Sequence, residues 1–142
     1  MSGQSIWRDD GSCLVCGAEN EQGLHLHFEK TDDGARAEGV VPAHLQGFVG
    51  RSHGGIVAAV LDEAMYYAVA MRGMPGVATA EISVRYRRPL PTEQVFQVDA
   101  RCLRASRRFA RTEAVIRVAG DVVAEAEGTF LPVPSDIEIK GE

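Results

Sequence analysis

His53-Gly54-Gly55-Ile56-Val57-Ala58-Ala59-Val60-Leu61-Asp62-Glu63-Ala64-Met65-Tyr66-Tyr67-Ala68-Val69-Ala70-Met71 is the stretch on which the fold turns. From Ile56 to Met71 every residue is apolar except the adjacent pair Asp62 and Glu63. A surface helix carries a polar face, and this one has almost none, so other structure must wrap it. An ionised carboxylate buried without a partner costs several kcal/mol or more, so carboxylates kept in mid-helix point to chemistry. The glycine pair at the start presents backbone N–H groups where the helix dipole favours negative charge. A carboxylate and amide donors are together the parts that acyl transfer requires.

Outward from the helix the pattern changes to alternation. Upstream, Leu24 to Glu29 places Leu24, Leu26 and Phe28 on one face of a strand, and Thr31-Asp32-Asp33-Gly34 signals a turn into a second strand, Ala35 to Val41. Pro42 to Ser52 reads as a loop. Downstream, Gly73 and Pro75 stop the helix. Four strands then follow, Val77–Arg87, Val95–Leu103, Arg108–Ala119 and Val122–Leu131, with Gly120-Asp121 as a tight turn. In the first of them Ile82, Val84 and Tyr86 alternate against Glu81, Ser83 and Arg85. Two strands, one buried helix and four strands predict an α+β protein with a curved antiparallel sheet around the helix. Residues 1–23 read as an irregular leader, 24–134 as the domain and 135–142 as a tail.

With 142 residues the chain is long enough for one core without disulfides. Its net charge of −5 argues against general nucleic-acid binding. Residues 72–142 nevertheless hold eleven basic side chains, ten of them arginine, concentrated between Arg85 and Arg111. They read either as a solvated strand surface or as a local anion site, since arginine binds phosphate in bidentate fashion. Met1 to Asp10 lacks an apolar core, so no secretory signal is expected, and Ile56–Met71 is too short and interrupted for a membrane span. Three cysteines fit a reducing compartment, and the expected location is cytoplasmic.

Helix arithmetic makes a further demand. Gly54 and Asp62 stand eight residues apart, which is about 12 Å along the axis. A reacting carbonyl must lie about 3 Å from both its oxyanion donor and the attacking group, so one helix cannot supply both. Two copies related by a two-fold axis can. A homodimer with composite sites is therefore expected, and a second copy would cover the remaining apolar face of the helix. Asp62 and Glu63 lie about 100° apart around the helix, so only one faces a given pocket. Asp62 is the candidate nucleophile or general base. Glu63 is expected to reach an arginine or solvent.

The segment Gly50-Arg51-Ser52-His53-Gly54-Gly55, continuing to Asp62, resembles the His-Gly-Gly…Asp signature of hotdog-fold acyl-CoA thioesterases, nearest to the phenylacetate-pathway type. The likeness extends through Thr79 to Tyr86 and on to Arg87-Arg88-Pro89-Leu90-Pro91, covering most of the chain from Leu24 to Pro132. It implies hydrolysis of an acyl-CoA thioester to free acid and CoA, with no metal or organic cofactor and a homodimer or a dimer of dimers. It also implies Asp62 as the catalytic carboxylate, the Gly54 amide as oxyanion donor and Gly55 as a point of close approach. His53 would cap the helix and orient the site, or cap it only. Thr79 would position water, or serve as an ordinary strand residue. Arg87 and Arg88 are implied near the CoA phosphates. One position departs: where several relatives carry asparagine or glutamine, six residues before the histidine, stands Gly47, with Gln46 beside it. A non-catalytic acyl-CoA-binding module on the same fold is the alternative function.

Cys13-Leu14-Val15-Cys16, with His25 and His27 close behind, holds four potential zinc ligands. Their spacing matches no familiar finger, and both histidines fall on one exposed strand face. No metal site is predicted.

Overall fold

The computed structural model describes residues 7–133, so the expected tail at 135–142 and the first six residues lie outside the described residues. The elements run β1 (Glu29–Lys30), β2 (Gly34–Val40), α1 (Gly54–Ala70), β3 (Val77–Tyr86), β4 (Val95–Ala105), β5 (Ala110–Val118) and β6 (Asp121–Pro132). A short 3-10 turn at Ala43–Leu45 interrupts the loop before the helix. All strand pairs are antiparallel, in the order β1-β2-β4-β5-β6-β3. The architecture is the expected α+β hotdog: one apolar helix lying in a six-stranded sheet.

Helix α1 packs chiefly on β4, between β2 and β5. Val60, Leu61, Met65 and Val69 from the helix meet Phe96, Val98, Ile116 and Phe130 from the sheet, all essentially inaccessible to water. Each such side chain contributes about 1.5–3 kcal/mol of transfer free energy. The helix approaches closely because β6 offers Gly128, where a Cβ would stand 3.1 Å from both Met65 Cε and Thr112 Oγ1. Thr112 is fully buried, and its hydroxyl donates to Gly128 O at 3.1 Å. Gly34 is needed at the start of β2, since a Cβ there would fall 1.7 Å from Ala100 O.

The predicted strand Leu24–Glu29 is a correction. Only Glu29 and Lys30 join the sheet, opposite Arg36 and Ala35. The alternation is real, with Leu24, Leu26 and Phe28 buried and His25 and His27 exposed. The backbone, however, bonds to the leader: Leu24 N–H donates to Leu14 O and Leu26 N–H to Val15 O. His25 at φ 54° turns the chain out of strand geometry. Period-two alternation reports which side chains are buried, and here the hydrogen-bonding partner is a loop. That loop folds back so that Val15 enters the core.

Strand β3 sits at the end of the sheet beside β6, with its other side open. Its register shifts between Thr79 and Glu81, an extra residue characteristic of a β-bulge. Before the shift Thr79 pairs with Phe130; after it Ile82, Val84 and Tyr86 pair with Gly128, Ala126 and Ala124. The bulge thus brings Thr79 onto the same, helix-facing side as Ile82, Val84 and Tyr86.

Candidate active site

His53 caps α1. Its Nδ1 accepts the Gly55 N–H at 2.9 Å, and its carbonyl oxygen accepts from Ile56 and Val57. These bonds occupy three of the amides in the first turn. The Gly54 N–H makes no hydrogen bond among the described residues, and both glycines are exposed. The histidine cap therefore selects Gly54 as the donor left for a ligand. Gly55 is held small by the same cap, because a Cβ there would sit 3.1 Å from His53 Nδ1.

Asp62 lies half-buried on the open flank of α1, and Thr79 Oγ1 donates to its Oδ1 at 2.6 Å. Thr79 is thus joined to the carboxylate it was expected to assist. Glu63 departs from expectation. It does not reach solvent: it is 5% exposed, and Cys13 Sγ donates to its Oε2 at 2.8 Å. The step of about 100° between consecutive helical residues carries it beneath the leader.

An open cleft of about 650 Å³ starts at the helix N-terminus, walled by His53, Gly54, Val57, Tyr86, Arg87 and Arg88 among others. It brings together the predicted oxyanion donor and the predicted phosphate contacts, but not Asp62 or Thr79. Arg87 pairs with Glu125 at 2.6 Å and Arg88 with Asp121 at 3.5 Å, all four side chains well exposed. The Arg87 guanidinium holds the Glu125 carboxyl below its ordinary range. Arg36 with Asp99 and Arg101 with Glu113 form similar pairs on the outer face of the sheet, so much of the arginine cluster is a salt-bridged strand surface.

Two residues of the cleft went unread in the sequence. Tyr86 donates its hydroxyl to Gly54 O at 2.7 Å, bracing the helix start from β3. Ser52 Oγ is buried with no hydrogen-bond partner among the described residues. The alternation did place Tyr86 on the inner face; nothing in the sequence marks Ser52. Gly47 lies against His53, where a Cβ would contact its Cα at 3.4 Å. The neighbouring Gln46 Oε1 accepts from Gly50 N–H inside its own loop.

The leader brings a second cluster to the helix. Cys13 Sγ, Cys16 Sγ and a Glu63 carboxylate oxygen all lie within 4.8 Å of one another, and the Tyr67 hydroxyl donates to Cys16 Sγ at 3.4 Å. The Cys16 thiol, aided by the Cys16 backbone amide, pulls Cys13 below its ordinary range. Cys16 is pushed up, first by Cys13 and then by burial. His25 and His27 do not join this group; the His25 ring lies against Asn20 O.

A lone helix held in an antiparallel sheet, with an exposed amide at its start and a carboxylate at mid-length, defines a hotdog protein. Residues 49–125, more than half of the chain, match the thioesterase superfamily, and the chain belongs to that superfamily. Its fold is similar to the crystal structure of a thioesterase superfamily protein at 31% identity and TM-score 0.79, over 85% of this chain. The match spans 60% of that protein's length. A variant of the phenylacetic acid degradation protein PaaI from Thermus thermophilus is 28% identical over 76% of this chain and 93% of its own, with TM-score 0.68. A hypothetical thioesterase from Streptococcus pneumoniae, solved with coenzyme A, shares the fold at 21% identity and TM-score 0.70, over 76% of this chain and 85% of its own. No curated protein matches the sequence. Among the described residues no helix is long and apolar enough to cross a membrane.

Proposed function

We propose that the chain hydrolyses acyl-CoA thioesters to free acid and CoA, at a site shared between two copies in a homodimer. One observation carries the reading: in α1 the amide left open for a ligand, Gly54, and the carboxylate on the open flank, Asp62, are separated by two turns of helix. That gap of about 12 Å exceeds what a single carbonyl carbon can bridge. A second copy closes it. The free side of β3 and the exposed Phe48 (85%) and Val49 (88%) supply a surface for that copy next to the cleft.

The chemistry follows from the groups. The thioester oxygen accepts from Gly54 N–H at the positive end of the helix, where developing negative charge is stabilised. Asp62 of the other copy takes a proton from the attacking water, or attacks the carbonyl carbon to form a mixed anhydride that water then hydrolyses to the free acid, and in either route the thiolate of CoA leaves. The Thr79 hydroxyl holds the carboxylate, and the cap of His53 keeps the Gly54 amide oriented. Arg87 and Arg88 line the cleft where the CoA phosphates would lie; the coenzyme A bound by the S. pneumoniae relative supports that ligand class. No metal or organic cofactor enters the reaction.

Gly47 and the engagement of the Gln46 side chain within its own loop favour a second reading, an acyl-CoA-binding module without turnover. Thiol release from a panel of aliphatic and aromatic acyl-CoAs separates the two. Hydrolysis of at least one substrate is expected; tight binding with no release of thiol from any would establish the module. Replacing Phe48 and Val49 together by aspartate is expected to yield a folded monomer without activity. An active monomer would refute the composite site.

A further inference from the structure

We propose that Cys13, Cys16 and Glu63 form a binding site for a divalent zinc-class cation, which fastens the leader to helix α1. Two donor atoms come from one turn of the leader and the third from a helix fifty positions away, yet all lie within 4.8 Å of one another. A tetrahedral zinc ion with Zn–S of about 2.3 Å and Zn–O of about 2.0–2.2 Å needs its ligand atoms about 3.5–3.8 Å apart. The Cys13–Glu63 contact of 2.8 Å therefore opens by less than about 1 Å as the ion replaces the shared proton.

The scaffold is set before any ion arrives. The Cys13-to-Cys16 turn is closed by Gly17 N–H donating to Cys13 O at 3.0 Å. Gly17 admits no side chain, since a Cβ would lie 2.4 Å from Cys13 N and from Gly11 O. Glu63 stands on a buried helix, so its carboxylate has little freedom. Tyr67, one turn further along α1, donates to Cys16 Sγ and orients that sulfur from outside the ligand set. Two thiolates and one carboxylate suit a borderline-soft ion, and calcium and magnesium, which take oxygen ligands, are disfavoured. Both cysteines are partly exposed, which leaves room for water as the fourth ligand.

The site lies on another flank of α1 from Asp62, so its test does not depend on thioester hydrolysis. The full chain, purified without a metal-chelating tag under reducing conditions, is expected to hold about one zinc per chain. Cobalt exchanged for zinc should give thiolate charge-transfer absorption and the visible bands of a tetrahedral ion. Cys13→Ser should abolish the thiolate absorption, Glu63→Gln should shift the visible bands, and a chelator should lower the melting temperature of the wild type. Because Glu63 is buried and its variant can fail to fold, X-ray absorption on the wild-type zinc protein is the companion measurement. Sulfur and oxygen neighbours together are expected there.

Reduced protein that carries no zinc and gives no cobalt spectrum overturns the proposal. So does blockage of Cys13 and Cys16 that a reductant reverses and a chelator does not, which would mean a disulfide. A metal shell of sulfur alone, or cobalt bands unchanged in folded Glu63→Gln, removes Glu63 from the ligand set and overturns the site as assigned.

Discussion

Asp62 and Glu63 are neighbours in the chain and occupy opposite kinds of surroundings. Asp62 is half-buried on the flank of α1 that faces the free edge of the sheet, with the exposed Thr79 hydroxyl on its carboxylate. Glu63 is sealed beneath the leader against Cys13, near Tyr67, whose ring stacks on Phe28 at 4.7 Å. The open flank is made of exposed groups with hydrogen-bonding capacity: His53, Gly54, Thr79 and Tyr86. The closed flank is made of apolar contacts from Val15, Leu24, Leu26 and Phe28. Under the proposed function one helix carries reactivity on one flank and stability on the other, and the two should respond separately to substitution.

Asp62→Asn tests that separation most severely. It is expected to lower thiol release from acyl-CoA by about a hundredfold or more, the contribution of a positioned base, with the melting temperature scarcely changed. Turnover kept near wild type would remove Asp62 from the chemistry. Leu26→Ala addresses the closed flank. Leu26 is 3% exposed, and its truncation should cost about 2–5 kcal/mol in denaturant unfolding while kcat of the folded fraction stays as it was. A collapse of kcat without loss of stability would show that the flanks are coupled.

Thr79→Ala should act more gently, lowering kcat by about threefold to tenfold, the net value of one ordinary hydrogen bond. An unchanged kcat would return Thr79 to the role of an ordinary strand residue. Arg87→Ala is the mildest. Arg87 depresses the Glu125 pKa, so their attraction stabilises the fold above the ordinary carboxylate range and fades as pH falls through the lowered value. Without Arg87 the Glu125 titration, followed by NMR, should move up towards its ordinary range. No movement would show that the pair does not persist in solution.

The helix was legible because a continuous apolar run leaves only burial as an explanation, and burial made its two carboxylates conspicuous. Which of them faced outward was not legible from helical angle alone, since about 100° separates them without fixing either to a flank. The strands were legible as elements, but their order was not: nothing in alternation tells β3 to cross to the far side of β6. The strand expected at Leu24–Glu29 was misread for a related reason. Leu24, Leu26 and Phe28 showed the correct buried face, yet the pairing partner is a loop held by Leu14 and Val15 carbonyls. The contact between Cys13 and Glu63 spans fifty positions of sequence, so no local pattern announced it. Thr79 came from family resemblance, and strict alternation with Ile82, Val84 and Tyr86 would have turned it away from the helix.

That parity conflict gives the β3 bulge a consequence for insertions and deletions. The strand has to satisfy two clients on one face, a hydroxyl for Asp62 and an apolar row for the core, and their positions in sequence differ by an odd number. Loss of the single residue Ala80 would leave the strand length nearly intact. It would also set Thr79 two positions from Ile82, so that regular pairing keeps the Thr79 hydroxyl and the apolar row on one face with no bulge. The bulge thus absorbs one surplus residue, and a single further insertion or deletion elsewhere between Glu81 and Tyr86 would turn part of the apolar row outward.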